Sequence, residues 1–281
     1  MGILSTLSAT FFLFATAATD LEQWHKRREE SLTAPHGWLS LISRDKMAPG
    51  KHAVGADAKS AVKLPQAACG HCADLEVAGG KAWITPVQGS KILVDAKPIQ
   101  GKTAVFTKSK VEIDRFRVGF VERDGEIAVR VMDPQSPARA AFKGCQWFAP
   151  NPAAIVKAKF EKAPKHQEEI ALEDITGRVR PEKIVGKLSF KLGGKPQTLL
   201  ALDGEPGLFL IFRDQTTGKT TYGGGRFLGV EKAPAPGGEV TLDFNRAYSP
   251  PCAFSKFTTC PIPPKENSLT VAVEAGERLG K

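Results

Sequence analysis

Arg115-Phe116-Arg117-Val118-Gly119-Phe120-Val121-Glu122 is followed, across Arg123-Asp124-Gly125-Glu126, by Ile127-Ala128-Val129-Arg130-Val131-Met132. Both are apolar runs of strand length, bounded by turn residues, and neither carries a helical period. The same texture extends in both directions. Upstream, short runs at Trp38–Ile42, His52–Val54, Val62–Leu64, Asp74–Val77, Trp83–Pro86, Ile92–Val94 and Thr103–Phe106 alternate with Gly, Pro, Asp and Lys. Downstream, strands are expected at Phe142–Phe148, Ile155–Phe160, Arg178–Val179, Lys187–Leu192, Gln197–Leu202, Leu208–Arg213, Thr220–Tyr222, Arg226–Val230, Glu239–Phe244 and Leu269–Ala275, with Gly193-Gly194 as a hairpin turn. The chain therefore reads as mainly β. Its 281 residues, 42% hydrophobic and 25% charged, suffice for two β domains with real cores and argue against a disordered chain. Pro150-Asn151-Pro152 can continue neither a helix nor an internal strand, so a boundary is expected there, between domains over 35–150 and 151–281, packed on each other as sandwiches or barrels.

Ahead of the β region, residues 3–18 are uncharged and end in Ala15-Thr16-Ala17, the small-x-small pattern of a signal peptidase site. Residues 1–18 are read as a signal peptide, which makes the protein an exported one, periplasmic or secreted. The run is too short and too rich in Ser, Thr and Ala for a span of about 20 residues, and no later segment approaches that length. Thr19-Asp20-Leu21-Glu22 fits a capping box opening a short helix over 19–34, with Leu21, Trp24, Arg28 and Leu32 on one face. Trp24 and Arg28 are read there as packing residues.

Five cysteines stand in the chain. Cys69-Gly70-His71-Cys72 has redox-motif spacing, but the residues after it alternate like a strand instead of forming the helix a redox CxxC requires, so a local disulfide is expected. Zinc would need two further ligands. Cys252 and Cys260 bracket a loop within a segment, Pro250–Pro264, that holds five prolines, and a second disulfide is expected there, stabilising by about 2 to 3 kcal/mol. Cys145, among Phe142, Trp147 and Phe148, is left as a buried thiol.

The polar residues Asp214, Tyr222, Arg226, Asp243, Asn245, Arg246, Tyr248, Glu266 and Asn267 form the candidate constellation. In Asp243-Phe244-Asn245-Arg246 a strand period would send Asp243 and Asn245 to one face. Two arginines among several carboxylates can be an ion-pair network that fastens the Pro-rich loop to a sheet. They can equally be a fork for a carboxylate or phosphate with an acid nearby as general base. No nucleophile elbow, zinc-protease motif or phosphate loop is present, and no cofactor or metal is implied.

Trp24, Arg28 and Gly37-Trp38-Leu39-Ser40-Leu41, then Phe212-Arg213-Asp214, Thr220-Thr221-Tyr222, Gly225-Arg226, and the long block from Leu242-Asp243-Phe244-Asn245-Arg246-Ala247-Tyr248 through Cys260-Pro261-Ile262-Pro263-Pro264-Lys265-Glu266-Asn267 resemble an uncharacterised bacterial and archaeal family, DUF1684. The resemblance implies no activity. Pro49-Gly50-Lys51-His52-Ala53-Val54-Gly55 followed by Ser60–Pro65 is similar to the opening strands of a forkhead-associated β-sandwich. Where that resemblance implies a phosphothreonine-binding Arg this chain has Ala56, so phosphopeptide recognition is not expected.

The net charge of +9 with an export segment points to an envelope or extracellular binding protein, its ligand an anionic small molecule or envelope polymer held by Arg226, Asp243, Asn245, Arg246, Tyr248, Asp214 and Glu266. The alternative is a hydrolase using Asp214, Asp243 or Glu266 as acid and base, with or without a divalent metal. Nucleic acid is not an expected partner, because basic and aromatic residues do not cluster.

Overall fold

A computed structural model describes residues 4–280, with side chains from Thr19 onward. The signal-peptide reading of residues 1–18 therefore rests on side chains outside the described residues. Among the described residues no helix is long and apolar enough to cross a membrane.

The chain opens with α1 (Leu4–Thr33). Because this helix already runs through Thr19, that residue is no N-cap and the expected capping box does not form. The anticipated face is real: Leu21 and Leu32 are buried, and Trp24 and Arg28 half-buried. The remainder divides into two compact units, one of residues 30–142 and one of residues 1–29 with 143–281. The boundary expected at Pro150-Asn151-Pro152 falls inside the latter, where Asn151 caps a single 3₁₀ turn, Pro152–Ala154.

The 30–142 unit is built from β1 (Leu41–Met47), β2 (Gly50–Gly55), β3 (Val62–Lys63), β4 (Ala73–Ala78), β5 (Lys81–Pro86), β6 (Ile92–Val94), β7 (Lys97–Pro98), β8 (Thr103–Val105), β9 (Val111–Ile113), β10 (Phe116–Arg123) and β11 (Glu126–Met132), followed by the one-turn helix α2 (Pro137–Ala141). They form a six-stranded sheet, β1-β11-β10-β9-β6-β7, and a five-stranded one, β3-β2-β4-β5-β8. Period-2 burial explains the pairing. Phe116, Val118 and Phe120 of β10 share one core with Val129 and Val131 of β11 and with Val54, Leu75 and Ile84 of the other sheet. Asp124 and Gly125 both take positive φ, as the tight turn between β10 and β11 requires. Trp38–Ser40, expected as strand, is a 3₁₀ turn. Cys69 and Cys72 are joined by a disulfide just before β4.

The other unit contains β12 (Gln146–Trp147), β13 (Ile155–Lys162), β14 (Glu169–Glu173), β15 (Val179–Leu192), β16 (Lys195–Asp203), β17 (Leu208–Phe212), β18 (Arg226–Val230), β19 (Glu239–Asp243) and β20 (Glu277–Arg278). Its main sheet runs β18-β17-β16-β15-β13-β19, with β14 added to β15, and curls into a half-barrel. Phe190, Leu199, Leu210, Phe212, Leu228, Leu242 and Phe244 fill its core. Gly193 and Gly194, both at positive φ, make the expected hairpin turn between β15 and β16. Phe142–Phe148 yields only the two residues of β12, and Thr220–Tyr222 forms turns instead of a strand.

Leu269–Ala275, expected as a strand, has extended residues but no sheet ladder. Backbone bonds join only its first half to residues 213–215, from the Leu269 N–H to the Arg213 carbonyl and from the Gln215 N–H to the Val271 carbonyl, and side chains hold the rest. Gln197 accepts from the Thr270 N–H at 2.9 Å, Asp214 accepts from the Val273 N–H at 3.2 Å, and Arg226 donates to the carbonyls of Val273, Ala275 and Glu277. Asn267 plays a similar part where β16 and β17 diverge, donating to Leu200 and Ile211 and accepting from the Leu200 N–H.

Candidate functional site

The two arginines of the predicted constellation have opposite fates. Arg226 is fully buried at the start of β18. Its guanidinium pairs with Asp214 at 2.9 Å, lies over the Phe212 ring and donates to three C-terminal carbonyls. Asp214 is as completely engaged, its other oxygen accepting from the Thr216 amide and hydroxyl and from the Val273 N–H. This is the fastening network, with both terminal nitrogens of Arg226 spent on protein carbonyls and a carboxylate. Neither residue can serve as anion fork or general base without dismantling the C-terminal segment.

Asp243 ends β19, and Asn245 and Arg246 belong to the 3₁₀ turn that follows, Phe244–Arg246, so the strand alternation expected across them stops at Asp243. Asp243 caps the turn by accepting from the Asn245 N–H at 3.0 Å, and local capping of this kind competes successfully with strand pairing. Asn245 is buried and bonded to both backbone groups of Asn151, which makes it a brace. The His25 imidazole hydrogen-bonds the Asn245 backbone and stacks on Trp147 with ring centroids 3.8 Å apart, and burial pushes its pKa down.

Arg246 points the other way, into an open cleft of about 430 Å³. One wall is Trp24 of α1. A second is Phe209 of β17 with the turn Gly204–Gly207, and the remainder comes from Gly229–Glu231, Arg246 and Tyr248. The turn is closed by a bond from the Gly204 N–H to the Gly207 carbonyl, and a Cβ at Gly207 would collide with the Val230 carbonyl. Glycine therefore lets the turn lie against β18 and shape the floor. Trp24 and Tyr248 rings stand 6.1 Å apart, tilted by 53°.

The electrostatics of the cleft are not those of an anion site. Arg246 is met by Asp20, by Asp243 at 3.4 Å and by Glu231 at 4.0 Å, while Asp203 lines the opposite side. Three carboxylates thus meet one guanidinium, and a fourth lines the same cleft. Tyr248 is backed by Arg28, whose guanidinium sits 4.6 Å from its ring centre and 5.5 Å from that of Phe254. Arg28 also donates to the Ser249 carbonyl at 2.8 Å and approaches the buried Glu277 at 3.6 Å. Burial raises the pKa of Glu277, with Arg28 opposing it.

Glu266 is exposed and lines a different cleft, of about 600 Å³, with Glu161, His166 and Lys187. The three acids of the hydrolase alternative thus have three different settings: Asp214 in a buried ion pair, Asp243 as a cap, Glu266 on the surface. Among the described residues no cluster of three or more His, Cys, Asp or Glu could hold a metal. Cys252 and Cys260, expected as a disulfide, stand as free thiols, and Cys145 is half-buried, its thiol pushed up to about 12 by burial.

Of the predicted site residues the structure brings Arg246 and Tyr248 into one cleft with Asp243 behind them, and assigns Arg226, Asp214 and Asn245 to the scaffold. Sequence reasoning missed Phe209, Asp203 and Glu231, and took Trp24 for packing alone. The signal that could have found them is the pair Gly204 and Gly207, which marks close backbone approach beside strand ends.

A family described as "Protein of unknown function (DUF1684)" matches residues 140–278. Among solved structures, the uncharacterized protein from gene locus rrnAC0354 of Haloarcula marismortui is similar at 38% identity, over 50% of this chain and 79% of that one, with a TM-score of 0.43. No curated protein matches.

Proposed function

We propose that this chain, which belongs to the DUF1684 family, is an exported binding protein that holds a polyhydroxylated, ring-shaped ligand, a saccharide unit of an envelope polymer, in the Trp24–Arg246 cleft. The observation that carries this reading is the lining: three aromatic side chains, Trp24, Phe209 and Tyr248, beside Asp203, Glu231 and Arg246. Aromatic faces bury the C–H face of a sugar ring, while carboxylates and a guanidinium exchange hydrogen bonds with its hydroxyls. The volume lies within the range of small-molecule sites. A plain anion suits the cleft less well, because Arg246 is already compensated and the surrounding carboxylates repel negative charge. Export is supported by the uncharged residues 3–18 and the Ala15-Thr16-Ala17 pattern.

Titration calorimetry of the protein with neutral di- and trisaccharides and with their uronic-acid counterparts tests the proposal. Neutral sugars should bind, Trp24→Ala should remove binding, and Arg246→Ala should weaken it. Binding confined to the acidic sugars and dependent on Arg246 would restore the anionic-ligand reading. Heat from neither series would overturn saccharide binding altogether.

A further inference from the structure

Cys252 lies half-buried in a 3₁₀ turn, Pro251–Ala253, inside the Pro-rich segment. The Cys260 thiol and the Tyr222 hydroxyl lie beside its sulfur. Cys260 is buried, its sulfur accepts from the Cys252 N–H at 3.1 Å, and Thr258 lies beside it at 3.8 Å. The two thiols are adjacent and unequal. One is partly exposed and reachable, while the other is enclosed behind it.

We propose that Cys252 and Cys260 form a thiol–disulfide exchange site for a low-molecular-weight disulfide, with Cys252 as the attacking thiol and Cys260 as the resolving one. The Cys252 thiolate attacks one sulfur of the external disulfide. That S–S bond breaks, one external thiolate leaves and takes a proton from solvent, and a mixed disulfide remains on Cys252. Cys260 then gives up its proton and attacks the Cys252 sulfur. The mixed bond breaks and the second external thiol is released. Two protein thiols are oxidised and one external disulfide is reduced to two thiols.

The donor set supports this assignment. Hydrogen bonding from Cys260 first, and then from Tyr222, draws the Cys252 thiol below the ordinary cysteine value against the opposing effect of burial, which favours its thiolate. The Cys260 thiol and the Tyr222 hydroxyl are pushed up correspondingly. Stabilising the reduced form of a pair also keeps its disulfide reducible, which separates an exchange site from a permanent staple. The site is independent of the saccharide cleft and stands or falls without it.

Iodoacetamide alkylation of the reduced full chain, mapped by peptide mass across pH, should show Cys252 reacting with a midpoint below that of an ordinary cysteine and, at neutral pH, more than about tenfold faster than Cys145. Tyr222→Phe, which keeps both cysteines, should move the midpoint upward. In oxidised glutathione the protein should form the Cys252–Cys260 bond, and reduced glutathione should open it again. Cys260→Ser should instead accumulate glutathione on Cys252. Equal alkylation of Cys252 and Cys145, an unmoved midpoint in Tyr222→Phe, or a Cys252–Cys260 bond that glutathione can neither make nor break would each overturn the proposal.

Discussion

Arg226 and Asp214 meet at 2.9 Å with neither side chain exposing any surface, and between them they hold the last irregular stretch of the chain in place. The guanidinium reaches carbonyls of Val273, Ala275 and Glu277, and the carboxylate takes the Val273 N–H. Two side chains thus hold residues 273–277, beyond the backbone bonds that tie Leu269 and Val271 to Arg213 and Gln215.

Arg226→Met should therefore destabilise the protein by about 3 to 5 kcal/mol, because it leaves Asp214 charged and alone in the interior and strips three carbonyls of donors. Adding Asp214→Asn should return part of that loss. Urea unfolding of the single and double variants measures it. An Arg226→Met protein of undiminished stability that had lost ligand binding would make the pair a site.

Asp133 gives the acid-side stability of the 30–142 unit a definite sign. Its carboxylate accepts from Arg115 at 2.8 and 3.0 Å and from the Gln135 N–H. The Arg115 hydrogen bonds lead in holding its pKa below the usual carboxylate value, with burial opposing them. A depressed folded pKa contributes stability that is complete above the ordinary Asp range and is lost as pH falls through the folded value. The stability gap between the natural protein and Asp133→Asn should be widest at neutral pH and close in that acid window. Denaturation midpoints of the two proteins as a function of pH check this, and a gap that does not change with pH would refute it.

Gly225 stands at φ +84°, and a Cβ there would run into Pro263 and the Phe212 carbonyl. Gly225→Ala must adopt a strained backbone and also push the Pro-rich segment away from β17, at a cost of more than about 1 kcal/mol. Limited proteolysis should find new cleavage within residues 250–264. An alanine variant with the natural digestion pattern and midpoint would contradict this.

Where the sequence alternated and its polar atoms had only the ladder to go to, structure was legible. β10, β11 and the Gly193-Gly194 hairpin stand where the apolar runs and turn residues placed them. It misled where side chains took over the backbone's bonding. Asp243 caps its own turn, so a period-2 reading of Asp243–Arg246 failed. Gln197, Asp214 and Arg226 take up backbone groups of Thr270, Val273 and Ala275, so an alternating run formed no continuous ladder. The site suffered from the same cause. Arg226 and Arg246 are equivalent in sequence terms, and only the burial of the first and the acidic company of the second separate scaffold from cleft. Trp24 could not be assigned, because a tryptophan on an apolar helix face looks the same whether its outer edge meets protein or an open cleft.

Arg28 links that helix to the cleft's rear wall, and the choice of arginine there is specific. Its plane is set between Tyr248 and Phe254, it donates to the Ser249 carbonyl, and it supplies the positive charge facing Glu277. A lysine keeps the charge but cannot spread over two rings while holding a carbonyl, and its ammonium loses more hydration on burial. Arg28→Lys should cost about 2 kcal/mol through lost stacking and hydrogen bonding. Arg28→Met should cost more, because Glu277 would then be buried without a counter-charge. The added loss in the Met variant has a pH signature. Burial already raises Glu277 above the usual carboxylate value, and removing the arginine raises it further. A raised folded pKa leaves stability intact below the unfolded value and erodes it as pH climbs through the folded one. The Met variant should therefore approach the Lys variant in stability at acid pH, where Glu277 is protonated in both, and fall behind it toward neutrality. Thermal midpoints of the two variants across that range measure the divergence, and parallel curves would show that Glu277 does not depend on Arg28 for its charge.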